Sequence, residues 1–304
     1  MRPVDVGLVI PLYQAPPNGA MPGWKDVHAA AVLAEEVGFD RVWIPDELLW
    51  DVPSWGGSHG WWECVAMTGA LAAATSRIEI GTWVLSALHR NPALTAKVVA
   101  TLDEISGGRF VLGLGSGHAG AQGKAFGYPL DFVVGRYEEA LQIIVPMLRQ
   151  GRADYAGRFH RAEAVQLPPG PRPGAVPIML GGHRPRTIDL AVRHADIWSA
   201  HATDSSLPVA FVDTIDLVDR TCEEQGRDPA SLGRSIGVIV DFLGDGSGAE
   251  TFDLGVALAG EPGQIADAVR GLAAVGATSV EFMPFPASLA AVERAGEVLA
   301  LLDS

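Results

Sequence analysis

Three clusters in this chain carry residue types whose spacing could do chemistry. Asp46 and Glu47 stand side by side behind the apolar run FDRVWIP. Two carboxylates at the C-terminal end of a strand can supply a hydrogen-bond acceptor together with a general acid or base. The competing reading is a solvated pair of loop charges. In FVLGLGSGHAG, Gly115, Gly117 and Gly120 follow a strand-like run with the spacing GxGxxG, and His118 lies inside it. Glycines there permit a tight turn. The dinucleotide form of this motif belongs to the first βα turn of a nucleotide domain, with an acidic residue ending the next strand. Here the motif follows the fourth predicted strand and nothing helical begins at once, so the spacing alone is a weak signal. In PIMLGGHRPRT, Gly181 and Gly182 close another apolar run, and His183, Arg184, Pro185 and Arg186 follow. Two glycines beside a helix N-terminus present backbone N–H groups to an anion, and the arginines add positive charge. A plain strand-to-helix turn is the alternative.

The aromatic residues are unevenly spread. Five of the eight tryptophans, Trp43, Trp50, Trp55, Trp61 and Trp62, fall between residues 43 and 62. Loops rarely carry so much aromatic surface without a use, so DELLWDVPSWGGSHGWW reads as the wall or lid of a pocket for a flat or apolar molecule, or as an oligomer contact. The eight histidines show no metal spacing: there is no HExxH and no paired CxxC. His118, His183 and His201 fall at strand ends or just beyond, where they read first as structural or polar lining residues. No GxSxG nucleophile elbow occurs.

Positioning these clusters takes a repeated strand-then-helix frame. Strands are predicted at Val4–Ile10, Phe39–Pro45, Arg77–Leu85, Arg109–Gly115, Pro177–Leu180, Ala195–Ser199, Ser235–Val240 and Thr278–Pro284. Helices are predicted at about 24–37, 61–75, 92–105, 135–149 and 185–193, after Pro208, from Pro262, and after Ser288. Gly38 stops the first, Pro92 suits the first position of the third, and Ser288 caps the last. Residues 151–176 form an insertion whose YAGRFHRAEAVQL portion reads as a small hairpin, and further long loops follow strands two and seven. Runs such as VWIP and FVLGL are apolar without alternation, as expected when both sheet faces are covered. Eight such units predict a parallel sheet closed into a (β/α)8 barrel, with an open doubly wound sheet as the alternative. The 304 residues are read as one such domain, 1–304.

Composition narrows the partners. A net charge of −14 and a pI near 4.9 disfavour nucleic acid. The N-terminal MRPVDVGLVIPLY is too short and too interrupted for a signal peptide or a membrane span. The two cysteines, Cys64 and Cys222, predict no disulfide framework and a reducing, cytoplasmic location.

The segments GFDRVWIPDE, NPALTAKVVATLDEISGGRFVLGLGSG, GRYEEALQII, PIMLGGHRPRTIDLAVRHADIW and GEPGQIADAVRGLAAVGATSVEF, in this order, resemble the luciferase-like family of flavin- and deazaflavin-dependent oxidoreductases. The resemblance implies a (β/α)8 barrel that binds coenzyme F420 or FMN at its C-terminal mouth. It implies a ring lying against a non-proline cis peptide near Trp83-Val84, held there with Asp46 and the turns at Gly115 and Gly117. It also implies a phosphate seated by Gly181, Gly182, His183 and Arg184. Members are commonly homodimers. Two positions depart from the pattern. Deazaflavin-using relatives often carry Asp-His where this chain has Asp46-Glu47, and a glutamate where it has Gln122. Glu47, His118 and Gln122 are therefore the side chains expected to line the substrate side, and chemistry that needs an active-site histidine becomes less favoured. Arginine far exceeds lysine, a bias of GC-rich genomes whose organisms often make the deazaflavin, which favours F420 over FMN. The expected activity is hydride transfer between reduced F420, or FMN, and a small organic substrate. An FMN-dependent monooxygenase, a non-catalytic flavin binder and a nicotinamide dehydrogenase are the alternatives.

Overall fold

The apolar runs form strands because each is covered on both faces. The computed structural model describes residues 2–13, 20–52, 57–117, 120–168, 174–202, 207–242, 258–285 and 287–304. Eight strands pair in parallel in chain order: β1 (Asp5–Val9), β2 (Arg41–Ile44), β3 (Glu79–Thr82), β4 (Phe110–Gly115), β5 (Ile178–Gly181), β6 (Ile197–His201), β7 (Gly233–Asp241) and β8 (Ser279–Phe285). β8 pairs with β1, with Leu8 opposite Phe282, and β4 pairs with β5, with Leu112 opposite Ile178. The ring is therefore closed, which excludes the open-sheet alternative and removes the edges that an open sheet would have to protect.

A helix follows each strand: α1 (Trp24–Val37), α2 (Cys64–Ala74), α3 (Pro92–Ser106), α4 (Val133–Gln150), α5 (Pro185–His194), α6 (Val209–Glu224), α7 (Pro262–Ala274) and α8 (Leu289–Asp303). Their ends obey local chemistry. Gly38 closes α1 in the left-handed region at φ 94°. The Asn91 side chain accepts from the amides of Ala93 and Leu94 to start α3, and the Ser288 hydroxyl accepts from Ala291 N–H to start α8.

The core has two layers. Between strands and helices lie residues such as Leu8, Ile44, Ile80, Leu112, Ala34, Val99 and Leu141. Inside the ring, Val9, Trp43, Val111 and Met179 pack with Trp83, Val84, Ile197 and Met283. Trp43 can occupy the lumen because Gly81 lacks a side chain: a Cβ there would lie 2.3 Å from Trp43 Cζ3. Trp43 Nε1 donates to the Glu281 carboxylate, and Ser235 Oγ donates to its other oxygen at 2.9 Å. Burial pushes the Glu281 carboxyl up from its ordinary value, although Arg41 and these donors oppose the shift.

The predicted hairpin forms from Arg152–Ala156 and Arg161–Gln166. Two elements differ from expectation. The loop after β2 contains an antiparallel pair, Leu49–Val52 with Gly57–Gly60. A short helix, Ala121–Phe126, begins soon after β4 where no helix is predicted. Its sequence AQGKAF is rich in helix formers but is short and carries a glycine inside, and burial of Gln122 helps to hold it.

Candidate active site at the barrel mouth

Because all eight strands run the same way, their C-terminal ends gather at one rim. There β2 delivers Asp46 and Glu47, β3 delivers Trp83 and Val84, β4 delivers Gly115 and Gly117, and β5 delivers Gly181 and Gly182. The register Leu114–Leu180 places Gly115 beside Gly181. The peptide bond Trp83–Val84 is cis, at the position the resemblance implies. Both glycines turn towards Val84: a Cβ at Gly115 would lie 2.8 Å from Val84 Cγ2, and one at Gly181 would lie 3.9 Å from Val84 Cγ1. Gly117, at φ 84°, lies equally close to Ser86, whose Oγ would be 2.2 Å from an added Cβ. Two motifs more than 60 residues apart in sequence thus meet at Val84, whose side chain packs against both glycines.

Asp46 is engaged by protein groups on the β3 side of the rim. Its side chain is fully buried. Its carboxylate accepts from Ser86 N–H at 2.8 Å and from both terminal nitrogens of Arg90 at 2.6 and 3.0 Å, and it faces His89 Nδ1 at 3.3 Å. Burial opposes ionisation of Asp46, but His89 and Arg90 outweigh it and hold the carboxyl below the usual carboxylate range. Arg90 also reaches Glu63 at 2.6 Å, and Glu63 caps α2. The cluster fixes the turn that follows Trp83–Val84, so Asp46 acts on the mouth through backbone. Sequence pattern does not single out His89 and Arg90. The one signal for them is a basic pair just ahead of the Asn91 cap.

Glu47 and Gln122 do come together. Gln122 Nε2 donates to the Glu47 carboxylate, and Gln122 Oε1 accepts from Leu48 N–H at 3.0 Å. The short helix Ala121–Phe126 makes this contact possible. His118 lies outside the described residues.

At the end of β5 several polar groups are already paired within the protein. Gly182 N–H is spent on Ser199 O at 3.0 Å, and Gly182 O accepts from Trp198 Nε1 at 2.7 Å. Arg184 N–H donates to Thr187 Oγ1 at 3.2 Å, and the Arg186 guanidinium is paired with Glu138 at 2.6 Å. The side chains of His183 and Arg184 at the start of α5 are exposed. Glycine is required at 182: φ is 149°, and a Cβ would lie 2.3 Å from Thr187 Oγ1.

The tryptophan-rich segment divides. Trp43 fills the lumen. Trp50 and Trp61 cluster with Tyr13 at ring distances of 6.0 and 4.9 Å. Trp62 is exposed and donates to Pro22 O, and Trp55 lies outside the described residues. Burial pushes the Tyr13 hydroxyl far above its ordinary value, which keeps it protonated. Among the described residues no group of three or more His, Cys, Asp or Glu side chains could hold a metal ion, and no helix is long and apolar enough to cross a membrane.

The sequence model of the luciferase-like monooxygenase family matches residues 4–245. The chain belongs to this family. It is 31% identical over 184 residues to a 5,10-methylenetetrahydromethanopterin reductase of Archaeoglobus fulgidus, covering 60% of this chain and 51% of that protein. It is 30% identical over 220 residues to an F420-dependent glucose-6-phosphate dehydrogenase of Amycolatopsis mediterranei, covering 66% and 64%. The matched stretch thus spans between half and two thirds of these relatives. The fold is shared with the coenzyme F420 dependent tetrahydromethanopterin reductase of Methanopyrus kandleri, at a TM-score of 0.77 and 19% identity over 98% of this chain and 99% of that one.

Proposed function

We propose that this barrel is an oxidoreductase that moves hydride between reduced coenzyme F420 and a small organic substrate. The observation that carries the reading is the convergence of Gly115 and Gly181 on Val84, at the cis peptide of the rim. These glycines let the rim of β3 pack closely against the ends of β4 and β5, and a curated relative is named as F420-dependent. Bound F420 supplies a two-electron hydride donor or acceptor whose carbon at position 5 suppresses reaction with oxygen. The protein's task is to hold, orient and exclude water. The backbone at Trp83 and Val84, with Gly115, Gly117 and Gly181, receives the ring. The side chains of His183 and Arg184 receive the phosphate beside Gly182, whose own amide is engaged by Ser199. Asp46 stiffens the turn behind the ring. Glu47, oriented by Gln122, lines the substrate side together with His118.

An FMN-dependent monooxygenase on the same mouth is the second reading, favoured by the description of the family. Titration with F420 and with FMN, followed by absorbance and fluorescence, separates the two. Saturable binding of F420 alone supports the first reading, binding of FMN alone supports the second, and binding of neither overturns both. Turnover of enones, aldehydes or imines with the reduced ring then separates an enzyme from a non-catalytic binder.

The proposal extends to one domain over residues 1–304, to a homodimer and to the cytoplasm. Exposed Leu94 and Ile105 on α3 support a subunit contact. The free, buried Cys64 and Cys222 support a reducing compartment.

A further inference from the structure

β7 reads GRSIGVIVD, and its β-branched half is interrupted by Gly237. A glycine inside such a strand weakens it and marks a place where something approaches closely. Here the approaching group is the indole of Trp83. A Cβ at Gly237 would lie 2.4 Å from Trp83 Cζ2 and 2.6 Å from its Cη2. β3 and β7 are four strands apart in a ring of eight, so the indole leaves one wall and touches the wall opposite. Below it the lumen is filled by Trp43, Val111 and Met179. Trp83 is thus the top layer of the barrel's interior. It is only partly buried, unlike the layer beneath. Its Nε1 is buried and has no hydrogen-bond partner among the described residues. A buried N–H left without an acceptor is costly, and such a group calls for a partner.

We infer that the Trp83 side chain is the floor of the ligand site: the bound ring rests on the indole, and an acceptor atom of the bound molecule takes the Nε1 proton in a hydrogen bond. The floor sets the depth of the site, because nothing can enter the lumen past an indole that spans it. It selects flat molecules that carry an acceptor near one edge. Gly237 is the complementary position that lets the indole lie there. The inference rests on the proposed ring-binding reading and adds to it a contact made by a side chain rather than by the cis peptide backbone.

The test uses the whole chain and two ligands, F420 and FMN. In two-dimensional 1H–15N spectra the Trp83 indole N–H is assigned by its loss in Trp83→Phe. Its resonance is expected to move on titration with the ring that binds. Phenylalanine keeps an aromatic floor and removes only the donor, so Trp83→Phe is expected to weaken ring binding about fivefold, the worth of one ordinary hydrogen bond, with the melting temperature held close to wild type. Gly237→Ala should displace the indole and weaken binding as well. A Trp83 resonance that stays in place at saturation, or a Trp83→Phe protein that binds as wild type does, overturns the inference while leaving the ring-binding reading intact. Failure of the wild-type protein to bind either ring overturns both.

Discussion

Two tryptophans stacked in the same barrel lumen have opposite fates. Trp43 is sealed on every side, and its N–H is donated to Glu281, itself bonded by Ser235. Trp83, one layer higher, keeps part of its surface open and its N–H without an acceptor among the described residues. The lower layer is a completed structure, and its hydrogen bonds are closed among protein groups. The upper layer leaves a polar group and a flat apolar face unspent, which is how a pre-formed binding surface differs from a core.

The contrast can be broken most directly at Trp43. Trp43→Ala should lower unfolding stability by about 3–5 kcal/mol, since it leaves a large cavity and removes one of the donors to the buried Glu281 carboxyl. Trp83→Ala should cost about half as much or less because the residue is already partly exposed. Urea unfolding of the two variants measures this, and equal losses would remove the distinction between the layers. Next in size is the clamp beside the mouth. Asp46→Asn leaves the largely buried Arg90 without its main partner and should cost about 2–4 kcal/mol. Asp46 titrates below its ordinary value when folded. Its stabilisation is therefore present above the unfolded value and is lost as pH falls through the folded one. In Asp46→Asn that acid limb of a stability–pH curve should flatten.

Gly182→Glu should weaken binding of the ring about a hundredfold, by placing a carboxylate beside the anion seat and a side chain against Thr187. Unchanged affinity by fluorescence titration would exclude that seat. The smallest effect belongs to Glu281. Burial raises its folded value, so wild-type stability should fall as pH rises from the ordinary glutamate range through that raised value. The slope is about 1 kcal/mol for each pH unit crossed in that window. Glu281→Gln should remove it, read as the urea midpoint against pH.

Much of the frame was legible in the chain. The apolar runs, the glycine stops and the Asn91, Pro92 and Ser288 helix starts are local signals, and each lies within a few residues of the element it marks. The eight strand-and-helix units and the hairpin of the 151–176 insertion followed from them. The short helix Ala121–Phe126 was not legible, because six residues broken by a glycine are too few to stand on propensity alone and part of their support is the contact of Gln122 with residues 47 and 48. Within the site, the glycine turns were visible as types and spacings, but their shared target, Val84, was not. Asp46 was visible as a carboxylate at a strand end, and its engagement with Ser86 and Arg90 was not.

Local sequence thus prescribed the elements, their order and the handover points where chemistry could sit, because periodicity, caps and glycine conformations act over a few residues. Closure of the ring settled which handover points face one another, which carboxylate is consumed by an arginine, and which indole crosses the lumen. Those outcomes depend on strands four positions apart in the ring and on side chains tens to hundreds of residues distant, and no window of sequence contains both partners.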